Sequence, residues 1–133
     1  MGIKYITVED ILEYHEVVIE ETGGKKGIYP DGEGKLKYIL DEIRYPVFGK
    51  MRFRTLISKA ARILYLLTLE HAFIDGNKRT AFLSTVSFLE INGYRINASY
   101  EEIIEYTVAI AEHKVSFEDV KAWLKQHCVK IEK

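Results

Sequence analysis

Cysteine is almost missing from this chain, with one residue, Cys128, in 133. A disulfide within the chain is therefore impossible, and the fold must be held by its core. The same scarcity favours a reducing compartment, and a cytoplasmic location is expected. Cys128 itself reads as a spare thiol on a terminal helix rather than as a nucleophile. Proline is scarce too, with two residues, and there are no low-complexity tracts, internal repeats or convincing linkers. No apolar run approaches a membrane span, since even "RILYLLTLE" is short and bounded by charge. "MGIKYITVED" meets acidic residues before any apolar core develops, so no signal peptide is expected. A net charge of −1 gives no bulk drive towards nucleic acid. Neither nucleic acid nor a membrane is expected as a partner.

What is present is ordinary for a globular protein, with 47% hydrophobic and 29% charged residues. The length predicts a single domain over residues 1–133. Period-3.6 patterns dominate. Thr7 with Asp10 resembles a capping box and opens a predicted helix over 8–21, whose apolar side is Val8, Ile11, Leu12, His15, Val18 and Ile19. "KKGIYPDGEGK" is dense in breakers and reads as a loop. A modest helix over about 34–43 follows. In "YPVFGKMRFR" two short β-like runs flank Gly49-Lys50, predicting a small hairpin or extended flap, with Pro46 confining it to an edge. Helices are predicted from Thr55 to Glu70 and through "TAFLSTVSFL", Thr80–Leu89, which carries no charge and belongs at the centre of a bundle. Ser99 with Glu102 and Ser116 with Asp119 open two more. The expected fold class is all-α, a compact bundle of five to seven helices with one short β element.

"HAFIDGNKR", just before the charge-free helix, gathers a histidine, a carboxylate, a glycine, an amide and two cations. The first N–H groups of that helix lack intrahelical partners and sit at the positive end of its dipole, a ready anion site. Gly76 permits close approach of a phosphate and a positive φ. Lys78 and Arg79 supply a point charge and a forked donor for phosphate oxygens. Asp75 is a hard oxygen donor of the kind Mg²⁺ uses together with phosphates and water. His71 can accept a proton from an attacking hydroxyl. Together these are the parts of phosphoryl or nucleotidyl transfer, in which positioning and charge neutralisation supply most of the catalysis. Each has a plainer use: Asp75 as N-cap, Gly76 as turn, Lys78 and Arg79 as a solvated first turn, His71 as a structural histidine. The plain uses fit less well jointly, because cations in a first turn oppose the dipole and call for something negative.

From Ile43 to Leu69 there is no acidic residue, whereas Arg44, Lys50, Arg52, Arg54, Lys59 and Arg62 all occur. Such a skew is expected to give the flap and the following helix a positive rim that favours polyphosphate or an acidic partner. His15, His113 and His127 have no metal-ligand spacing and read as structural or surface residues. "DGEGK" lacks a Walker pattern and reads as a surface turn. Trp123 with Phe117 reads as core packing rather than a base-stacking platform.

With these residues in view, the chain resembles the Fic/Doc family, whose signature is His-x-Phe-x-(Asp/Glu)-Gly-Asn-(Gly/Lys)-Arg. His71, Phe73, Asp75, Gly76, Asn77, Lys78 and Arg79 match it without a gap, and the likeness extends over essentially the whole chain. The resemblance implies that His71 is the general base towards a protein hydroxyl and that Phe73 anchors the loop in the core. It implies that Asp75 holds Mg²⁺, and that Gly76, Asn77, Lys78 and Arg79 bind the phosphates of ATP. The flap would align the target segment by strand addition. Lys78, where AMP-transferring members have Gly, and Phe82, where they have a second Arg, resemble the Doc-like branch. Gly76 instead matches the Fic pattern, where the Doc-like branch usually has Ala. The branch implies a toxin of a toxin–antitoxin pair that transfers the terminal phosphoryl group of ATP to a Ser/Thr hydroxyl of a cytosolic protein such as a translation elongation factor. AMP transfer through the same residues is the enzymatic alternative, and a non-catalytic partner-binding module is the alternative of another class. The self-inhibitory pattern (Ser/Thr)-x-x-x-Glu-(Gly/Asn) does not occur, so inhibition by a separate antitoxin chain is expected.

Overall fold

Small hydroxyl side chains set the starts of most helices. In the computed structural model, which describes residues 2–132, α1 (Val8–Thr22) begins at Thr7, whose side chain accepts the Asp10 N–H while Asp10 returns a bond to the Thr7 N–H. The same reciprocal arrangement opens α3 (Leu56–Leu69) at Thr55, α5 (Tyr100–Ala111) at Ser99 and α6 (Phe117–His127) at Ser116. Each box satisfies two N–H groups that the helix leaves without partners. The remaining helices, α2 (Gly32–Arg44) and α4 (Asn77–Ile91), have no side-chain cap. The all-α expectation is met. The end residues of the expected single domain, 1 and 133, lie outside the described range.

The apolar faces read from sequence are the buried ones. Ile11, His15, Val18 and Ile19 of α1 are buried, and α4 exposes nothing between Thr80 and Leu89. That charge-free helix packs against α1, α3 and α5. Ala60 and Ala61 of α3 and Ala81 and Ser84 of α4 are fully buried, small residues that let backbones approach closely. The core continues through Leu36, Ile39 and Ile43 of α2 and Val120 and Leu124 of α6. No helix among the described residues is long and apolar enough to cross a membrane.

The β structure is divided differently from the expectation. The flap's pairing is a single tight turn in which the Val47 N–H donates to the Lys50 carbonyl (2.8 Å) and the Lys50 N–H to the Val47 carbonyl (3.0 Å). Phe48 and Gly49 both take positive φ, 48° and 77°, as a two-residue hairpin turn requires. The ladder lies elsewhere: β1 (Tyr94–Ile96) pairs antiparallel with β2 (Cys128–Lys130), Arg95 opposite Val129. Strands of three residues carry too little alternation to be read from sequence.

Two further expectations are corrected by packing. "DGEGK" is not a surface turn: Gly32 opens α2, and a Cβ there would sit 2.5 Å from the Ala72 carbonyl. Nor do the six cations after Ile43 form one positive rim. Lys59 is buried, its amine donating to the Ile43 carbonyl at the end of α2. Arg62 and Arg52 turn onto Glu42, a carboxylate buried on α2.

Candidate active site

The segment from His71 to Gly76 joins α3 to α4, and its backbone is fixed from three sides. From the loop that precedes α2, the Tyr29 N–H donates to the Ala72 carbonyl (3.0 Å) and the Gly27 carbonyl accepts the Ile74 N–H (3.1 Å). These bonds form an antiparallel bridge of Ile28 with Phe73. From α1, buried His15 lies 3.8 Å from the Phe73 ring at 9° between planes. Its Nε2 donates to the Asp75 carbonyl at 2.8 Å, which assigns the proton to Nε2. From α4, the Asn77 amide clasps Phe73 at both ends: Oδ1 accepts the Phe73 N–H (3.0 Å) and Nδ2 donates to the Phe73 carbonyl (2.8 Å). Phe73 itself is buried, the anchor its apolar ring predicts.

Asp75 is exposed and hydrogen-bonded at both oxygens. Oδ2 accepts the Lys25 N–H (3.0 Å) and Oδ1 the Gly76 N–H (2.8 Å). These bonds, that from Lys25 foremost, hold its carboxyl below the usual aspartate range, so it is ionised at neutral pH. Each oxygen keeps acceptor capacity, because a carboxylate offers about four lone-pair sites. A Cβ on Gly24 would lie 2.7 Å from Oδ2, so this glycine lets the loop reach the carboxylate.

Gly76 caps α4 with φ 78°, a left-handed conformation natural to glycine. The first intrahelical bond runs from the Thr80 N–H to the Gly76 carbonyl (3.0 Å). The N–H groups of Asn77, Lys78 and Arg79 precede it and have no protein partner among the described residues. Lys78 and Arg79 are exposed in this first turn, and no acidic residue accompanies them. The Arg79 guanidinium lies 5.4 Å from the Tyr100 ring, which also meets Phe82 edge to face at 5.7 Å. Phe82 is thus half-buried against α5 and has nothing to offer a phosphate.

His71 is exposed and has φ 48°, uncommon outside glycine and found preferentially at functional sites. All six site residues named from sequence therefore lie on one loop and the helix it feeds. The Asn77 side chain is engaged with the loop itself. His15, which the sequence reading took as structural, and Lys25 and Tyr100, which it left unassigned, complete the surroundings. Two surface hollows lie away from the motif, one of 440 Å³ beside Arg95 and Lys130 and one of 130 Å³ between the N-terminal segment and α2. An anion site at a helix end is open surface and needs no cavity.

The donor set fits the groups that the family implies. Three unpartnered N–H groups and two cations suit phosphate oxygens. One ionised, exposed carboxylate suits Mg²⁺, which completes its shell with phosphates and water. No cluster of three or more His, Cys, Asp or Glu gathers among the described residues.

A helical bundle presenting a glycine-capped helix end, two cations and an exposed histidine on one loop has the architecture of a Fic/Doc protein. The chain belongs to that family: the Fic/DOC family model matches residues 5–89, from the approach to α1 through most of α4. Among its curated relatives, "Toxin Doc" of Mycolicibacterium smegmatis (strain ATCC 700084 / mc(2)155) is 42% identical over 98 residues, 74% of this chain and 72% of the relative. "Protein kinase doc" of Escherichia phage P1 is 27% identical over 124 residues, 93% of this chain and 95% of the relative.

Proposed function

We propose that this chain is the Doc-like toxin of a toxin–antitoxin pair and transfers the terminal phosphoryl group of ATP to a Ser/Thr hydroxyl of a cytosolic protein, such as a translation elongation factor. The observation that carries the reading is the start of α4, which has no side-chain cap and where three N–H groups without a partner among the described residues and two cations meet the positive end of the helix dipole. In the proposed reaction His71 takes the hydroxyl proton as the acceptor oxygen bonds to the terminal phosphorus. The bond to the β-phosphate oxygen breaks, and ADP leaves with the electron pair. The N–H groups of Asn77, Lys78 and Arg79, with the two cationic side chains, hold phosphate oxygens and stabilise their charge. Asp75 holds Mg²⁺, which when bound neutralises phosphate charge. The flap tip at Val47–Lys50 orients the acceptor segment.

Phosphoryl rather than AMP transfer is supported by Lys78 and Phe82, the latter turned onto Tyr100, and by the relative named as a protein kinase. The test uses ATP labelled separately at the α and γ phosphates, incubated with a bacterial lysate. Label from γ alone is expected on protein, and His71→Ala is expected to lower its rate by about 10²–10⁴-fold while retaining the fold. Label from α would replace this reading with AMP transfer. No protein label from either position, with His71→Ala indistinguishable from the unaltered chain, would overturn the enzymatic reading.

A further inference from the structure

The flap does not hang from its two ends. Its returning arm is tied to a carboxylate that no solvent-borne partner can reach. Glu42 on α2 has a side chain 3% exposed. Its Oε1 accepts from Arg62 Nε (2.8 Å), and its Oε2 from Arg52 Nη1 (3.2 Å) and the Tyr38 hydroxyl (3.3 Å). Arg62 belongs to α3, whereas Arg52 belongs to the flap. One buried charge therefore joins the helix before the flap, the flap, and the helix after it. The two guanidinium carbons lie 5.0 and 5.8 Å from the Phe53 ring centre. Phe53 is buried edge to face on Phe117 of α6 at 5.5 Å. Lys59 makes a second tie, its amine donating to the Ile43 carbonyl and lying 3.7 Å from the Met51 sulfur. Between these anchors Arg44 to Lys50 are exposed, Phe48 at the tip to 99%.

We infer that Glu42 is a positioning residue for the flap: through Arg52 it fixes the direction in which the Val47–Lys50 turn projects, and so the affinity for the protein acceptor. The inference rests on the reading of the flap as the acceptor-docking element. A buried carboxylate facing two guanidinium groups is not replaced by an amide, which has one acceptor oxygen and turns N–H donors towards the cations. Arg52 is half-exposed, so when it is released its head group moves into water and the arm loses its tie.

The test uses Arg52→Gln first, because it leaves Glu42 paired with Arg62. Amide hydrogen exchange is followed at Val47 and Lys50, whose N–H groups close the turn. Exchange there is expected to accelerate at least about tenfold, the size of one lost charge-assisted hydrogen bond. Leu64 and Phe88 amides, in the core helices, are expected to keep their rates. Arg52→Lys should restore part of the protection. Glu42→Gln should reproduce the acceleration at the turn, although its side chain lies beyond reach of any acceptor. Unchanged exchange at Val47 and Lys50 in Arg52→Gln, or equal acceleration throughout the core, would overturn the inference. In the γ-label assay, Arg52→Gln should raise the half-saturating lysate concentration with the plateau retained, and a lowered plateau at unchanged half-saturation would also overturn it. Should the unaltered chain label nothing, the proposed function fails, while the exchange rates still decide whether Glu42 holds the flap.

Discussion

At Gly76 the backbone stands at φ 78°, and an added Cβ would lie 3.2 Å from side-chain carbons of Val18 and Ile19. Gly76→Ala is therefore expected to lower the free energy of unfolding by about 1–2 kcal/mol from the backbone alone, read as an earlier midpoint in urea. A midpoint equal to that of the unaltered chain would mean that the cap tolerates an L residue. That His71, Asp75, Gly76, Lys78 and Arg79 share one loop and the start of the helix it feeds was legible in the sequence, because they lie within nine positions of one another. Asn77 was legible only in part. Its amide looks like a phosphate ligand in one dimension, but it lies four residues after Phe73 and closes the loop through both of that residue's backbone groups. His15 reads from sequence as structural, and it is. That its partner would be a carbonyl 60 positions away is a tertiary fact that no local pattern carries.

At the scale of elements, α4 differs from its neighbours in having neither a side-chain cap nor an acid in its first turn. α1, α2, α5 and α6 carry acidic residues there, and α3, which carries none, is closed by the Thr55 capping box. An acid in that turn would suit the dipole. Lys78→Glu is accordingly expected to stabilise the fold by about 0.3–1 kcal/mol, seen as a higher melting temperature, while weakening ATP binding. A variant both less stable and unimpaired in binding would contradict the view that this helix end is held open for an anion. Helix existence was readable from periodicity and caps, with bounds within three residues of those observed. The segment before α2 was readable as a loop from its breakers, but its contacts were not, because Gly24, Gly27 and Gly32 mark close approach to the motif. The cations after Ile43 were misread for a related reason: the burial of Glu42, which draws two of them inward, is invisible until α2 packs on α3.

At the scale of the whole molecule, the bundle brings two remote segments to the loop and to the helix that the loop feeds. α1 supplies His15, the loop before α2 supplies the N–H groups of Lys25 and Tyr29, and α4 supplies its open end. Their hydrogen bonds constrain the backbone of the motif, a constraint of the kind electrostatic preorganisation requires. The hollows elsewhere on the surface share no residue with it. The most direct measurement is a titration of the isotopically labelled chain with Mg²⁺ and ATP, followed at the backbone amide resonances. The account predicts saturable shifts at Asn77, Lys78 and Arg79, strongly weakened in Lys78→Glu. Unmoved resonances at these three positions under saturating nucleotide, with the shifts gathered instead around Arg95 and Lys130, would contradict it.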